Sequence, residues 1–241
     1  MRSSSLLAWF ILFTGCFWFC PAAVAAVWYV DGDNPSATVD GTGWDTAFRT
    51  IQEAVNAASA DSGGEIWVAA GTYISTTDPV LTMATNVHLF GGFAGTESSR
   101  TQRNPNLYAS ILDGENARRC VVGANTATFD GLPVQNGYCA GNGGGMYNDT
   151  ASPLVANCTF LNNTASGYDC NGGGIYNLSS QATITNCTFT GNSAYYGGGI
   201  ENYTSTSPTI SNCTFTGNPA VDGGGLRNDF SSPLVTNCIF T

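Results

Sequence analysis

One phrase recurs four times between Gly143 and Thr241, and this internal repeat limits the available folds more than any other feature of the chain. Glycine triplets begin at Gly143, Gly172, Gly197 and Gly223, separated by 29, 25 and 26 residues, a period that suits one coil of a solenoid. Each triplet is followed by an apolar residue (Met146, Ile175, Ile200, Leu226) and, two positions later, by an asparagine (Asn148, Asn177, Asn202, Asn228). Further columns hold the same phase. They are aliphatic (Val155, Ile184, Ile210, Val235), asparagine (Asn157, Asn186, Asn212, Asn237), cysteine (Cys158, Cys187, Cys213, Cys238) and phenylalanine (Phe160, Phe189, Phe215, Phe240). Asn163, Asn192 and Asn218 add a third asparagine column.

Composition decides between a helical hairpin and a β-coil as the repeating unit. Isoleucine, valine, threonine, phenylalanine and tyrosine suit a pleated surface, whereas repeated glycine triplets are poor helix material. Along one straight strand, Ile184 and Cys187 would face opposite sides, yet both columns are apolar, so the chain must bend between them. Asn186 is placed for that bend, because asparagine tolerates the left-handed conformation better than any residue but glycine. Stacked corners of this kind wind short parallel strands into a right-handed coil, each strand about 4.8 Å above its equivalent. The expectation is an all-β fold: a right-handed, single-stranded parallel β-helix in which like residues form ladders.

The paired tetrapeptides GGGI and FTGN, with FLNN at Phe160 to Asn163, resemble the GGAI and FxxN signature of the polymorphic outer membrane protein repeats of bacteria. The broader resemblance is to pectate-lyase-like β-helix proteins. The strand Glu65 to Val68 with the following AAGTY resembles their opening coil, and NVHLFGGFAGTESSRTQRNPN from Asn86 resembles a phrase of secreted bacterial β-helix proteins. A third glycine stands where the repeat family usually has alanine. The resemblance implies surface display or adhesion or, in the lyase class, acidic clusters that bind calcium or act as acid and base.

Met1 to Ala26 reads as a secretory signal peptide, with Arg2, an apolar run from Leu6 to Phe19 and the small-residue end PAAVAA. A secreted or cell-surface location follows from that reading. Without this segment the chain carries 6 basic and 17 acidic residues and no lysine, which argues against nucleic acid and anionic membranes as partners. Residues 27–110 read as an N-terminal cap and first coils, and residues 111–241 as β-helix repeats, regular from about Gly143. A capping box at Thr50 and Glu53 opens a helix with Phe48, Ile51, Ala54, Val55 and Ala58 on one face, suited to closing the end of the stack. At Thr241 no cap is evident, so the expectation is a chain continuing into further coils or stacking end to end.

Candidates for chemistry are few. The cysteine column reads as stacked buried thiols, while Cys139 and Cys170, each just before a glycine triplet, are open to a disulfide or to free thiols. His88 is the single histidine and reads as structural, which removes any His-based triad. Glu201 and Arg227 hold one phase in successive coils and read as a surface ion pair. Were the chain an enzyme, its acids and arginines are densest at Asp113, Glu115, Arg118, Arg119 and Asp130. No cofactor or dedicated metal site is expected, any calcium being incidental. Triplets such as NCT match the glycosylation pattern, but the asparagine ladders explain them. The leading expectation is therefore a non-catalytic adhesion or surface-display module. A polysaccharide lyase or hydrolase is the alternative, with Tyr147, Tyr176, Tyr195 and Tyr196 near the coil surface for a glycan or protein ligand.

Overall fold

The computed structural model describes residues 26–204 and 207–241. The proposed signal peptide lies outside them, apart from Ala26. Glycine triplets, β-branched residues and asparagine corners produce short strands of two to seven residues, and all of these pair in parallel. The strands form three long sheets of eight, seven and six members, visited in turn by each coil, plus a pair made by Tyr138–Cys139 and Thr164–Ala165. This is an all-β parallel solenoid.

One coil shows how the residues make it. Ile175–Leu178 lies in the six-stranded sheet, Thr183–Thr185 in the eight-stranded sheet and Thr188–Thr190 in the seven-stranded sheet. The corner between the last two is Asn186, at φ 54°, and Asn157, Asn212 and Asn237 adopt φ of 54°, 53° and 52° in their coils. Because the chain bends there, Ile184 and Cys187 both point inward, at 0% and 1% exposure. The thiol also serves the bend: Cys187 Sγ donates to the carbonyl of Thr185 at 3.2 Å, and Cys213 Sγ to that of Ser211 at 3.2 Å. A small side chain with one weak donor suits the inside of a corner.

Register is kept residue on residue, with Ile184 over Val155 and under Ile210, and Phe189 over Phe160 and under Phe215. The rings of Phe160, Phe189, Phe215 and Phe240 stack at 4.9, 4.8 and 4.7 Å, tilted by no more than 8°. The third glycine of each triplet follows from this tightness. A Cβ on Gly174 would lie 2.5 Å from the carbonyl oxygen of Gly199 and 3.0 Å from the Phe189 ring, so alanine would force the next coil away.

Two polar columns run through the interior. The amide of Asn148 donates to Asn177, Asn177 to Asn202, and Asn202 to Asn228, each at 2.8 Å. Asn192 accepts at Oδ1 from the backbone and side-chain nitrogens of Asn163, and its own amide donates to Phe160 O and Asn218 Oδ1. Buried amides are tolerated because the coil above and the coil below supply their partners.

Thr50 and Glu53 form the capping box of α1 (Ile51–Ala60), the one α-helix among the described residues. Ile51, Ala54, Val55 and Ala58 are buried in the core shared with the coils, while Phe48 precedes the helix and packs on Trp28 at 6.0 Å between ring centroids. Regular pairing begins earlier than the glycine triplets suggest. Phe129 lies beneath Val155 and Val134 beneath Phe160, so the segment that reads as irregular in sequence is in register with the repeats. No helix among the described residues is long and apolar enough to cross a membrane.

Truncating Phe189 to alanine should cost about 3 to 5 kcal/mol, because a ring stacked on both sides is lost from a core that cannot collapse along the coil axis. Thr188→Ala, on the outer face of the same strand, should change stability by less than about 0.5 kcal/mol. Denaturant unfolding of the two variants checks the assignment of faces, and equal shifts would contradict it.

Candidate functional site on the outer face of the six-stranded sheet

In the acid- and arginine-rich set suggested by sequence, Glu115 contacts both Asp113 and Arg118, while Arg119 and Asp130 take other partners. Asp113 accepts from the side chains of Gln135 at 2.7 Å and Asn136 at 3.0 and 3.1 Å. Glu115 pairs with Arg118 at 2.6 Å, and Asp130 with Arg103 at 2.8 Å and Asn157 at 2.7 Å. Arg119 donates to the carbonyls of Gly143 and Asn142 at 2.9 and 2.8 Å and to Cys139 Sγ at 2.9 Å. Cys139 and Cys170 are both free thiols, the latter donating to Ser166 O at 3.2 Å. His88 Nδ1 lies 3.0 Å from the Thr128 hydroxyl, beside it in the ladder.

A different set converges on the outer face of the six-stranded sheet. In strands Met146–Asp149, Ile175–Leu178, Ile200–Tyr203 and Leu226–Asp229, the apolar residue and the asparagine point into the coil. The intervening residues therefore point out, and they stack as Tyr147, Tyr176, Glu201, Arg227 and as Asp149, Leu178, Tyr203, Asp229. Tyr147 and Tyr176 stack at 5.7 Å, Tyr176 and Tyr203 at 6.5 Å, and the Arg119 guanidinium lies 4.8 Å above the Tyr147 ring. Loops that precede the glycine triplets add a second aromatic group. Tyr168 meets Tyr195 at 4.9 Å, Tyr195 meets Tyr196 at 4.7 Å, and Tyr196 carries the Arg227 guanidinium at 4.1 Å.

Glu201 is the correction to the sequence reading. It is no surface residue: its side chain has 0% exposure and pairs with Arg227 at 2.8 Å. Arg227 also reaches Asp222 at 2.9 Å and Asp229 at 3.1 Å. The second carboxylate oxygen of Glu201, Oε2, is buried and receives no hydrogen bond from the described residues. Sequence showed the shared phase of Glu201 and Arg227, and the tyrosines at that phase in the two preceding coils were the available sign that the carboxylate would be covered.

Residues 104–240 match the family model described as "Right handed beta helix region", which spans more than half of the chain. The chain belongs to that right-handed β-helix family. No curated protein sequence matches it. Among solved structures the β-helix is similar to one from Parabacteroides merdae ATCC 43184 described as a "putative glycosyl hydrolase". The two share 14% identity with a TM-score of 0.48, over 90% of this chain and 98% of that one, a level of likeness that says nothing of activity.

On the β-helix surface, burial pushes the Glu201 carboxyl up from 4.5 to about 7. The neighbouring Arg227 opposes that rise without cancelling it, while Asp229 and Asp222 add to it. An unfolded glutamate loses its proton near 4.5, so the folded state is penalised increasingly as pH rises from there to about 7, and uniformly above. The penalty is on the order of 3 kcal/mol. Glu201→Gln should remove this component. The difference in unfolding free energy between the parent and Glu201→Gln, followed from about pH 4.5 to about pH 8, should therefore change by that amount in favour of the variant. A constant difference across the range would show that Glu201 titrates as an ordinary glutamate.

Proposed function

We propose that this β-helix is a secreted or cell-surface module that holds a glycan chain non-covalently on the outer face of its six-stranded sheet. The observation that carries the reading is the row Tyr147, Tyr176 and Tyr203, with Tyr168, Tyr195 and Tyr196 on the adjoining loops. Tyr176 is buried and holds Tyr147 and Tyr203 in place by stacking, while the exposed rings, above all Tyr168 at 84% exposure, offer the apolar faces on which sugar rings stack. The Met1 to Ala26 segment supports export, and the GGGI and FTGN phrases, like those of polymorphic outer membrane protein repeats, support display at a surface. In the same reading α1 closes the N-terminal end of the stack, which would otherwise present apolar ladders to water.

The rival is a polysaccharide lyase or hydrolase, and Glu201 is the residue that favours it, since a carboxyl titrating near 7 suits a general acid. Its burial weighs against that role, because with 0% exposure and Arg227 across it a substrate has no route to the proton. Binding without turnover is the better supported function.

Titration with a panel of neutral, acidic and amino-bearing oligosaccharides tests the reading. Binding is expected without released reducing ends or unsaturated sugar, and Tyr147→Ala and Tyr168→Ala should each weaken it by about two- to tenfold. Product release that survives both substitutions would instead place catalysis elsewhere on the coil.

A further inference from the structure

The charges around the aromatic row narrow the ligand class, an inference that rests on the glycan-binding reading above. Asp149, Asp169 and Asp222 are exposed around the row, and Asp229 is half-buried beside Tyr203. Two cations belong to the same face, and both are already engaged: Arg227 by Glu201, Asp222 and Asp229, and Arg119 by backbone carbonyls and the Cys139 sulfur. Burial first, and then the Asp149 carboxylate, hold Tyr147 above its ordinary range, and Tyr176 is raised by burial and by Tyr147, Glu201, Tyr203 and Asp149. Behind the row, in the same outward column as Tyr147 and Tyr176, lies the buried Glu201 Oε2, which has no hydrogen-bond partner among the described residues.

Anionic sugars meet like charge here and find no free guanidinium to pair with. A ligand bearing ammonium groups meets carboxylates for its charge and tyrosine faces for both its rings and its cations. We propose that the face binds a chain of amino sugars with free, protonated amines. Its pyranose rings stack on Tyr203 and the Tyr168–Tyr195 pair and pass along the edge of Tyr147, and its ammonium groups lie against Asp149 and Asp169.

Calorimetric titration with three tetrasaccharides, of glucosamine, of N-acetylglucosamine and of galacturonic acid, tests this at about pH 6, where free amines are protonated. The glucosamine tetramer should bind at least about tenfold more tightly than its acetylated counterpart, and that preference should shrink as salt is raised. Galacturonate should show no binding. The Asp149→Asn/Asp169→Asn double variant should lower the preference for the free amine several-fold, and both positions are exposed enough to leave the fold intact. Equal affinity for the glucosamine and acetylated tetramers, or tighter binding of galacturonate, would overturn the amino-sugar assignment and leave glycan binding standing. If none of the three binds, and none binds to the double variant, the glycan reading falls and takes this inference with it.

Discussion

Everything in this molecule depends on parallel strands repeating in register from coil to coil, so that each residue meets its own kind above and below. Backbone hydrogen bonds set the spacing, and identical side chains fill it: Ile184 between Val155 and Ile210, Phe189 between Phe160 and Phe215. The same constraint makes polar interior columns admissible. An isolated buried asparagine would leave several hydrogen-bonding atoms unmet, whereas a stack of them meets those needs along its length and leaves its deficit at the end. That end is visible here. Asn148 Oδ1 is buried without a partner, and the next coil down has Gly123, where a Cβ would lie 1.9 Å from that oxygen.

A ladder also forbids bulk between coils. Glycine triplets allow the backbone of one coil to sit against the carbonyls of the next, which keeps the phenylalanine rings at stacking distance. Outside the coil the constraint relaxes, and the outward columns of the six-stranded sheet depart from simple repetition: tyrosine, tyrosine, glutamate, arginine. Placed on so regular a base, the departure fixes a buried carboxylate between Tyr176 and a guanidinium in the neighbouring coils. Burying a charged pair contributes little net stability, and one oxygen of Glu201 has no partner among the described residues. A face that carries such a cost is a better candidate for recognition than one that merely repeats.

Much of the fold was legible because ladders write themselves into sequence as columns of one residue type. The asparagine at each corner could be read from its tolerance of positive φ, and the inward direction of Ile184 and Cys187 from the bend that corner makes. The helix was legible from Thr50, Glu53 and its apolar face. Less could be read where register is carried by backbone alone, as at Phe129 and Val134, which substitute for the usual aliphatic and phenylalanine without breaking the stack. The density of acids and arginines from Asp113 to Asp130 could be read from sequence, but not the partners each group takes. Glu115 meets Arg118 three residues on, while Asp113 and Asp130 are held by groups from other coils, Gln135 and Arg103.

Sequence by itself determined the coil, its period, its corners and the identity of each stacked column, because those depend on local backbone preference and on repetition. Tertiary structure alone decided the character of Glu201. Its burial arises from side chains contributed by other coils and by the loops beside them, and the rise in its proton affinity follows from that burial. Exposure is a property of what lies across the sheet, and residues 25 to 29 apart in the chain lie side by side there.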